Sequence, residues 1–331
     1  MSSRPTIIAI AAGVVVLLAT NSGCARTVRR VETPGASPDV GALWSRPADL
    51  ATRNLYFGAG GEKHAPRITT FEYVKGESFG SWGYDVKDAE GREWSVKLGR
   101  EAQTEVAVSR LLWAIGYPQP PNYFLGTWTM TGKHEGEQVP GRFRLELPSQ
   151  KVVGIWSWYE NPFVGTREFA GLVVVNLLVN NWDWKTDNNK IYETQGPGGS
   201  RRVYMVRDLG ASLGKLRHPA ALRWLWDRGS PQGTKNDLRG FESQEFITGM
   251  EGGRIRFDYH GVHQRLLDTL TPADVRWACG LLNRLSREQM LDAFYAAGYD
   301  HAHAGRYVVK LRQKIAQGLA GTPSSPTPQN K

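Results

Sequence analysis

The 331-residue sequence predicts an α+β fold, with strands concentrated in its first half and helices in its second. Three observations carry this. Between residues 69 and 98, short segments of alternating apolar and polar residues are broken by turn-forming ones. After Thr166, an apolar run through Leu172, Val175 and Leu178 is too long for a strand and suits a helix buried on most sides. From residue 220 onward, segments with apolar residues three and four apart follow one another to residue 317.

The elements follow in chain order. Residues 1–23 carry Arg4, an apolar run over residues 7–19 and then small residues, the layout of a signal peptide. That run is shorter than the ~20 residues of a spanning helix. Gly23-Cys24 resembles the end of a bacterial lipoprotein signal, which implies a lipidated Cys24 holding an exported protein to a membrane, on the periplasmic or cell-surface side. Cleavage near Ala25 by an ordinary signal peptidase is the alternative, and Arg26, Arg29 and Arg30 favour a cytoplasm-facing orientation instead. Residues 24–65, rich in Pro, Gly, Ala and Arg, read as a flexible tether.

Residues 66–150 form the first lobe, with strands over 69–74, 82–88 and 93–98 and a hairpin turn at Asp88-Ala89-Glu90-Gly91. Glu105, Val108, Leu112 and Ile115 recur at helical spacing and predict a helix over 100–115, stopped by Gly116 and kept stopped by Pro118, Pro120 and Pro121. Strands over 123–130 and 141–147 complete the lobe. Residues 151–320 form the second lobe. Thr166 starts its first helix, strands near 190–192 and 202–205 flank a turn, and helices are expected over 220–227, 243–248, 261–269, 272–282, 286–297 and 305–317. Residues 321–331, with Pro323, Pro326 and Pro328, read as a disordered tail.

Composition narrows the classes. A 40% apolar, 22% charged chain is an ordinary globular one. Its two cysteines, Cys24 and Cys279, give no disulfide framework if Cys24 is lipidated. A net charge of +9, or +8 without residues 1–23, favours anionic partners. No nucleic-acid motif or basic-aromatic array is present, so nucleic acid is not an expected partner.

Chemistry concentrates in two motifs. Asn181-Trp-Asp183-Trp-Lys185-Thr-Asp-Asn188 follows the buried helix, and its D-x-K-x-x-N spacing resembles a protein-kinase catalytic loop, which implies Asp183 as base, Lys185 as a cation for a transferring phosphate and Asn188 as an oxygen ligand. Beyond a strand-turn-strand, Val206-Arg207-Asp208-Leu209-Gly210 presents a second carboxylate, Asp208, entering a glycine turn. Upstream, Lys97 on a strand and Glu105 on the next helix can form an ion pair, a role Glu101 shares one turn earlier. Gly76, Gly80 and Gly83, with Ser78 and Ser81, can cover phosphates through backbone N–H groups, with Gly80 and Ser81 as the central candidates, although their spacing is not G-x-G-x-x-G.

In this order the motifs resemble the atypical protein-kinase-like superfamily over residues 66–215. Asn181 before Asp183, and the stretch Glu105 to Gly116 with its prolines, are similar to HipA-like and phosphatidylinositol 4-kinase-like proteins. The resemblance implies a two-lobed kinase-like fold, ATP with Mg2+ or Mn2+ as cofactors, Lys97 and Glu105 on the nucleotide side, and Asn188 and Asp208 on metal. The His-Arg that precedes the Asp in many protein kinases is absent. The acceptor stays open among protein, lipid and sugar, as does phosphoryl against nucleotidyl transfer. Lys215, Arg217, His218, Arg223 and Arg228 after Asp208 suit an anionic acceptor or a solvated basic face.

Two other classes stand beside this one. A nucleotide-binding pseudokinase lipoprotein would keep the fold without turnover. An exported metal-dependent hydrolase would draw on Asp258, His260, His263, Asp300, His301 and His303. Trp182, Trp184, Trp156, Trp158, Trp224 and Trp226 occur in pairs that stack on ligands or fill the core.

Overall fold

The computed structural model describes residues 39–76, 83–196, 198–216 and 233–322. Strands β1 (Thr70–Lys75), β2 (Gly83–Lys87), β3 (Glu93–Leu98), β4 (Asn122–Leu125), β5 (Trp128–Thr131), β6 (Gly136–Gln138) and β7 (Gly141–Leu145) form one sheet in the order β4-β7-β3-β2-β1-β5-β6. Only β1 and β5 pair in parallel. One face holds a core of Phe71, Trp94, Trp128 and Phe143, whose rings meet edge-on or tilted. Turn chemistry at residue 88 supports the β2–β3 hairpin: the Asp88 carboxylate accepts from the Arg92 backbone N–H at 2.8 Å and from Trp94 Nε1 at 2.9 Å.

Helix α1 (Glu101–Ala114) connects β3 to β4 and is buried along most of its length. A second sheet, β8 (Gln150–Ile155), β9 (Asn189–Gly196) and β10 (Gly199–Val206), is antiparallel with β9 in the centre. Between β8 and β9 runs α2 (Arg167–Leu178), capped by Thr166 Oγ1, which accepts from Phe169 N at 3.2 Å. The remaining elements are α3 (Leu238–Glu242), the hairpin β11 (Ile247–Glu251) and β12 (Arg254–Phe257), α4 (Gln264–Leu267), α5 (Pro272–Asn283), α6 (Arg287–Tyr295) and α7 (His301–Ala320). α2, α5 and α7 share one large apolar core, so the chain is β-rich first and helical second, an α+β fold.

Four differences from the sequence expectations have local causes. Residues 39–65, expected as part of a tether, contain short 3₁₀ turns, and their Leu43, Leu50 and Leu55 are buried in the large apolar core. Trp44 Nε1 donates to the Ile115 carbonyl at 2.7 Å, and a Cβ on Gly116 (φ 108°) would lie 2.2 Å from the Ser45 carbonyl oxygen. Dispersed leucines without periodicity carry no element signal, yet each finds a hole in the packing. The strand expected over 123–130 is two, β4 and β5, interrupted at Gly126-Thr127. No helix occupies 243–248, where one was expected: α3, started by Asp237 Oδ1 accepting from Gly240 N at 3.0 Å, ends at Glu242, and residues from 247 on belong to strand β11. β6 and β8 had no sequence signal strong enough to predict them. The helix expected over 220–227, the signal segment with Cys24, and Gly80 with Ser81 lie outside the described residues. No helix among the described residues is long and apolar enough to cross a membrane.

Candidate active site

Alternation along β3 decides which side chains enter the cleft. Trp94, Val96 and Leu98 turn into the aromatic core, so Ser95 and Lys97 take the opposite face. β7 runs antiparallel beside it with Arg142 across from Lys97 and Arg144 across from Ser95. Both arginines share the face of Lys97, while Phe143 and Leu145 point to the core.

Lys97 is the hub. Its Nζ lies 2.8 Å from Asp208 Oδ1, 2.5 Å from Glu101 Oε2 and 3.5 Å from Glu105 Oε2. Glu105, 1% exposed, is drawn the other way by Arg142, whose Nε is 3.0 Å from Glu105 Oε1. Glu101 is bound in turn by Lys235. The ion pair assigned to Glu105 is therefore divided: Glu101 holds Lys97 more closely, and Glu105 bridges Lys97 to Arg142. Burial alone would push the Lys97 ammonium down, but Glu105, Asp208 and Glu101 together outweigh it and raise its pKa. Asp208 shows the converse balance, since burial favours its neutral form but Lys97 holds the carboxyl below its ordinary value.

Asp208 comes at the end of β10, where Arg207 N bonds the Asn188 carbonyl at 3.1 Å and Gly210 N approaches Asp208 Oδ1 at 3.4 Å. The β9–β10 hairpin is thus clamped at its base to the Asp183 loop. That loop leaves α2 through Asn180, whose φ of 55° is left-handed, a conformation asparagine tolerates well. Asn181 is fully buried, donates to Asn176 Oδ1 at 2.8 Å and accepts from Asp183 N at 3.2 Å. Trp184 is also fully buried, donates to the Tyr259 hydroxyl and packs on Trp158. Trp182 Nε1 donates to the Thr234 carbonyl at 3.0 Å. The tryptophans flanking Asp183, like Trp156 and Trp158, are packing anchors; Trp224 and Trp226 lie outside the described residues.

Within this frame Asp183 keeps its carboxylate in the cleft with Lys185 Nζ 2.7 Å away, and Lys185 itself is 65% exposed. Burial pushes the Asp183 carboxyl up; Lys185 opposes it, while Asp208 and Glu101 add to it. Asn188 donates through Nδ2 to the Asp183 carbonyl at 2.8 Å, which leaves its amide oxygen as the atom for a ligand. The described site residues therefore converge: Lys97, Glu101, Glu105 and Asp208 as one ion network, with Asp183, Lys185 and Asn188 beside it.

A ligand-sized cavity adjoins this network. A cavity of about 440 Å³ opens between β1–β3 and Asp208, lined by Gly76, Gly83, Ser95 and Lys97, within the range of ~300–1,000 Å³ usual for ligand sites. Gly76 is required at its lip, because its φ is 120° and a Cβ would lie 2.7 Å from the Gly83 carbonyl oxygen. Each carboxylate of the network has a cation at hand: Asp208 has Lys97, Glu105 has Arg142, Glu101 has Lys235 and Asp183 has Lys185.

The rival metal sites have other uses. Asp300 caps α7 through His303 N at 2.8 Å and pairs with His303 Nδ1 at 2.7 Å. His263 bonds the Trp184 carbonyl at 2.9 Å and the Tyr159 hydroxyl at 3.2 Å, and so braces the Asp183 loop. Among the described residues no group of three or more His, Cys, Asp or Glu is placed to hold a metal ion. Cys279 is buried, and burial pushes its thiol up to about 12. Sequence reasoning missed Arg142, Arg144 and Arg207; the alternation of Arg142, Phe143 and Arg144 was the signal for the first two.

No protein-family model matches the chain, and no curated protein does. Among solved structures the chain is similar to the Helicobacter pylori proinflammatory kinase CtkA, with 10% identity, a TM-score of 0.45, and coverage of 77% of this chain and 98% of that one. It is also similar to the Golgi casein kinase, with 10% identity, a TM-score of 0.37, and coverage of 82% and 73%. For a structure of the Golgi casein kinase with Mn and ADP bound, the values are 11%, 0.33, 82% and 74%.

Proposed function

We propose that the chain is a kinase-like phosphotransferase that uses ATP and Mg2+ or Mn2+. The observation that carries this reading is the ion network in which Lys97 meets Asp208 across the cleft while Asp183 and Asn188 stand alongside. When bound, the metal would neutralise phosphate charge and orient the phosphates. Asp208 and Asn188 supply the oxygen ligands for it, and Lys97, kept protonated by its carboxylates, pairs with phosphate oxygens. Asp183 accepts the proton of the attacking hydroxyl at its carboxylate. Burial raises its pKa above that of an ordinary aspartate, which makes it a stronger base. Lys185, exposed and mobile on its stem, neutralises charge on the transferring group.

The acceptor is a hydroxyl compound of unassigned class, protein, lipid or sugar. The N-terminal segment favours an exported lipoprotein held by Cys24, a reading tested by phosphatase and fluorescent reporters fused after residue 40. Site assignment is tested by nucleotide binding with and without metal. Wild type binds ATP in a metal-dependent way, Asp208→Ala and Lys97→Ala bind at least tenfold more weakly, and Asp183→Ala binds normally. Equal binding by wild type, Asp208→Ala and Lys97→Ala sinks the assignment.

A further inference from the structure

On the other side of the Lys97–Asp208 pair lies a second, smaller cavity of about 150 Å³. At ~30 Å³ of liquid per water molecule it has room for several waters or one compact polyatomic ion. Five cations line it: Lys97, Arg142, Arg144, Lys190 and Arg207. Three carboxylates share the wall, but two are already engaged. Glu105 is held by Arg142 and Lys97, and Asp208 by Lys97. The third, Asp187, is on an exposed residue, and the Lys190 ammonium bonds its backbone carbonyl at 2.7 Å rather than its carboxylate.

This leaves three cations with little to balance them. Arg144 has one carboxylate partner, Glu146, at 3.1 Å and 44% exposed. Arg207 and Lys190 have no carboxylate within 4.0 Å among the described residues, and the Arg207 guanidinium lies 5.8 Å above the Tyr192 ring. Cations that only stabilise a fold are ordinarily paired when half-buried, as Arg142 is here. These three are instead held apart by separate supports. Sheet register and a 3.0 Å bond from Nη2 to Ser95 Oγ fix Arg144, Tyr192 supports Arg207, and the Asp187 carbonyl fixes Lys190. Donors converge on one small space from β7, from β9 and from the residue before Asp208.

We infer that this cavity is an oxyanion subsite that takes a phosphate group through Arg144, Lys190 and Arg207. Guanidinium forks match the geometry of phosphate oxygens, and charge-assisted bonds of this kind are the strong ones. A neutral ring inserted among the three would leave their repulsion in place. The phosphate has two sources: the phosphate chain of the nucleotide itself, or a phosphorylated second substrate lying beside it. The inference does not rest on turnover, because the subsite binds its anion before any transfer.

The experiment is calorimetric titration of the full chain with inorganic pyrophosphate, without nucleotide or metal, for wild type, Arg207→Gln and Lys190→Gln. Wild type binds, with affinity falling as salt rises, and each variant binds at least tenfold more weakly. Both variants keep or raise the melting temperature, since each removes a repelled cation; this separates the subsite from a merely structural role. A repeat with ATP present identifies the source. Loss of pyrophosphate binding in the presence of ATP, with Arg207→Gln also weakening ATP but not adenosine, assigns the nucleotide's own phosphates. Simultaneous binding of both assigns a second phosphorylated ligand. No pyrophosphate binding by wild type, or equal binding by all three proteins, overturns the inference. Failure of the phosphotransferase reading looks different, because it appears in Lys97→Ala and Asp208→Ala with ATP and metal.

Discussion

Asp183 and Asp208 reach one cleft from neighbouring loops, and their surroundings push them in opposite directions. Asp183 is raised because burial outweighs one exposed lysine, and Asp208 is lowered because a half-buried Lys97 outweighs burial. Under the proposed function these opposite shifts divide the work, with Asp183 moving a proton and Asp208 holding positive charge. The same contrast divides Glu101 from Glu105. Glu101 shares two lysines near solvent, whereas Glu105 is sealed against Arg142.

The sharpest way to break the contrast is turnover. Asp183→Ala should lower phosphate transfer by about 10²–10⁴-fold, the usual worth of a general base, while ATP binding survives; steady-state assay with parallel binding measurements decides it. If both fall together, Asp183 is a binding residue and the division of labour is wrong.

Stability separates the two glutamates. Glu105→Gln leaves the buried Arg142 without its carboxylate and should cost about 3 kcal/mol, at the lower end for broken buried pairs. Glu101→Gln should cost under about 1 kcal/mol, because its partners retain other contacts or solvent. Denaturant titration of both variants against wild type measures the difference, and equal losses would erase the distinction.

The pH profile sharpens the Asp183 side. With its carboxyl raised, activity should fall on the acid side at a pH above the ordinary aspartate range. Lys185→Met removes the charge that opposes this shift, so the acid limb should move to still higher pH. A limb that stays in place means another group limits the rate.

The smallest effect is on stability against pH. For Asp208 the folded pKa lies below the unfolded one, so its contribution is present above the unfolded pKa and disappears as pH falls through the folded value. For Asp183 the sign reverses: its contribution is full below the unfolded pKa and disappears as pH rises through the folded one. At neutral pH, Asp183→Asn should therefore stabilise the protein by up to about 1 kcal/mol, and Asp208→Asn should destabilise it. Thermal melts at pH 7 and in mild acid give the comparison.

Legibility in the sequence followed the range of the signal. Strand β3 and helix α1 occupy almost the residues their periodicity predicts, because alternation and helical spacing are local. The β9–β10 hairpin between Asn188 and Asp208 was visible for the same reason, as was the Thr166-capped start of α2. Residues 39–65 were misread, since Leu43, Leu50 and Leu55 have no period and are buried only by joining the large apolar core. The helix expected over 243–248 was wrong, because the pairing of β11 with β12 takes up residues from Ile247 on and the Asp237 cap starts the helix earlier.

By itself, the sequence determined the order of the chemical groups: Lys97 on a strand, Glu101 and Glu105 on the next helix, Asp183 to Asn188 after a buried helix, and Asp208 past a hairpin. Only the tertiary structure decided how they pair. Strand register placed Arg142 opposite Lys97, and so drew Glu105 away from the lysine and left Glu101 nearer to it. The same register put Arg144 beside Arg207 and Lys190, residues far apart in sequence. The physical reason is that local spacing selects an element and a face, whereas electrostatic partners are set by which faces the folded core brings within a few ångströms.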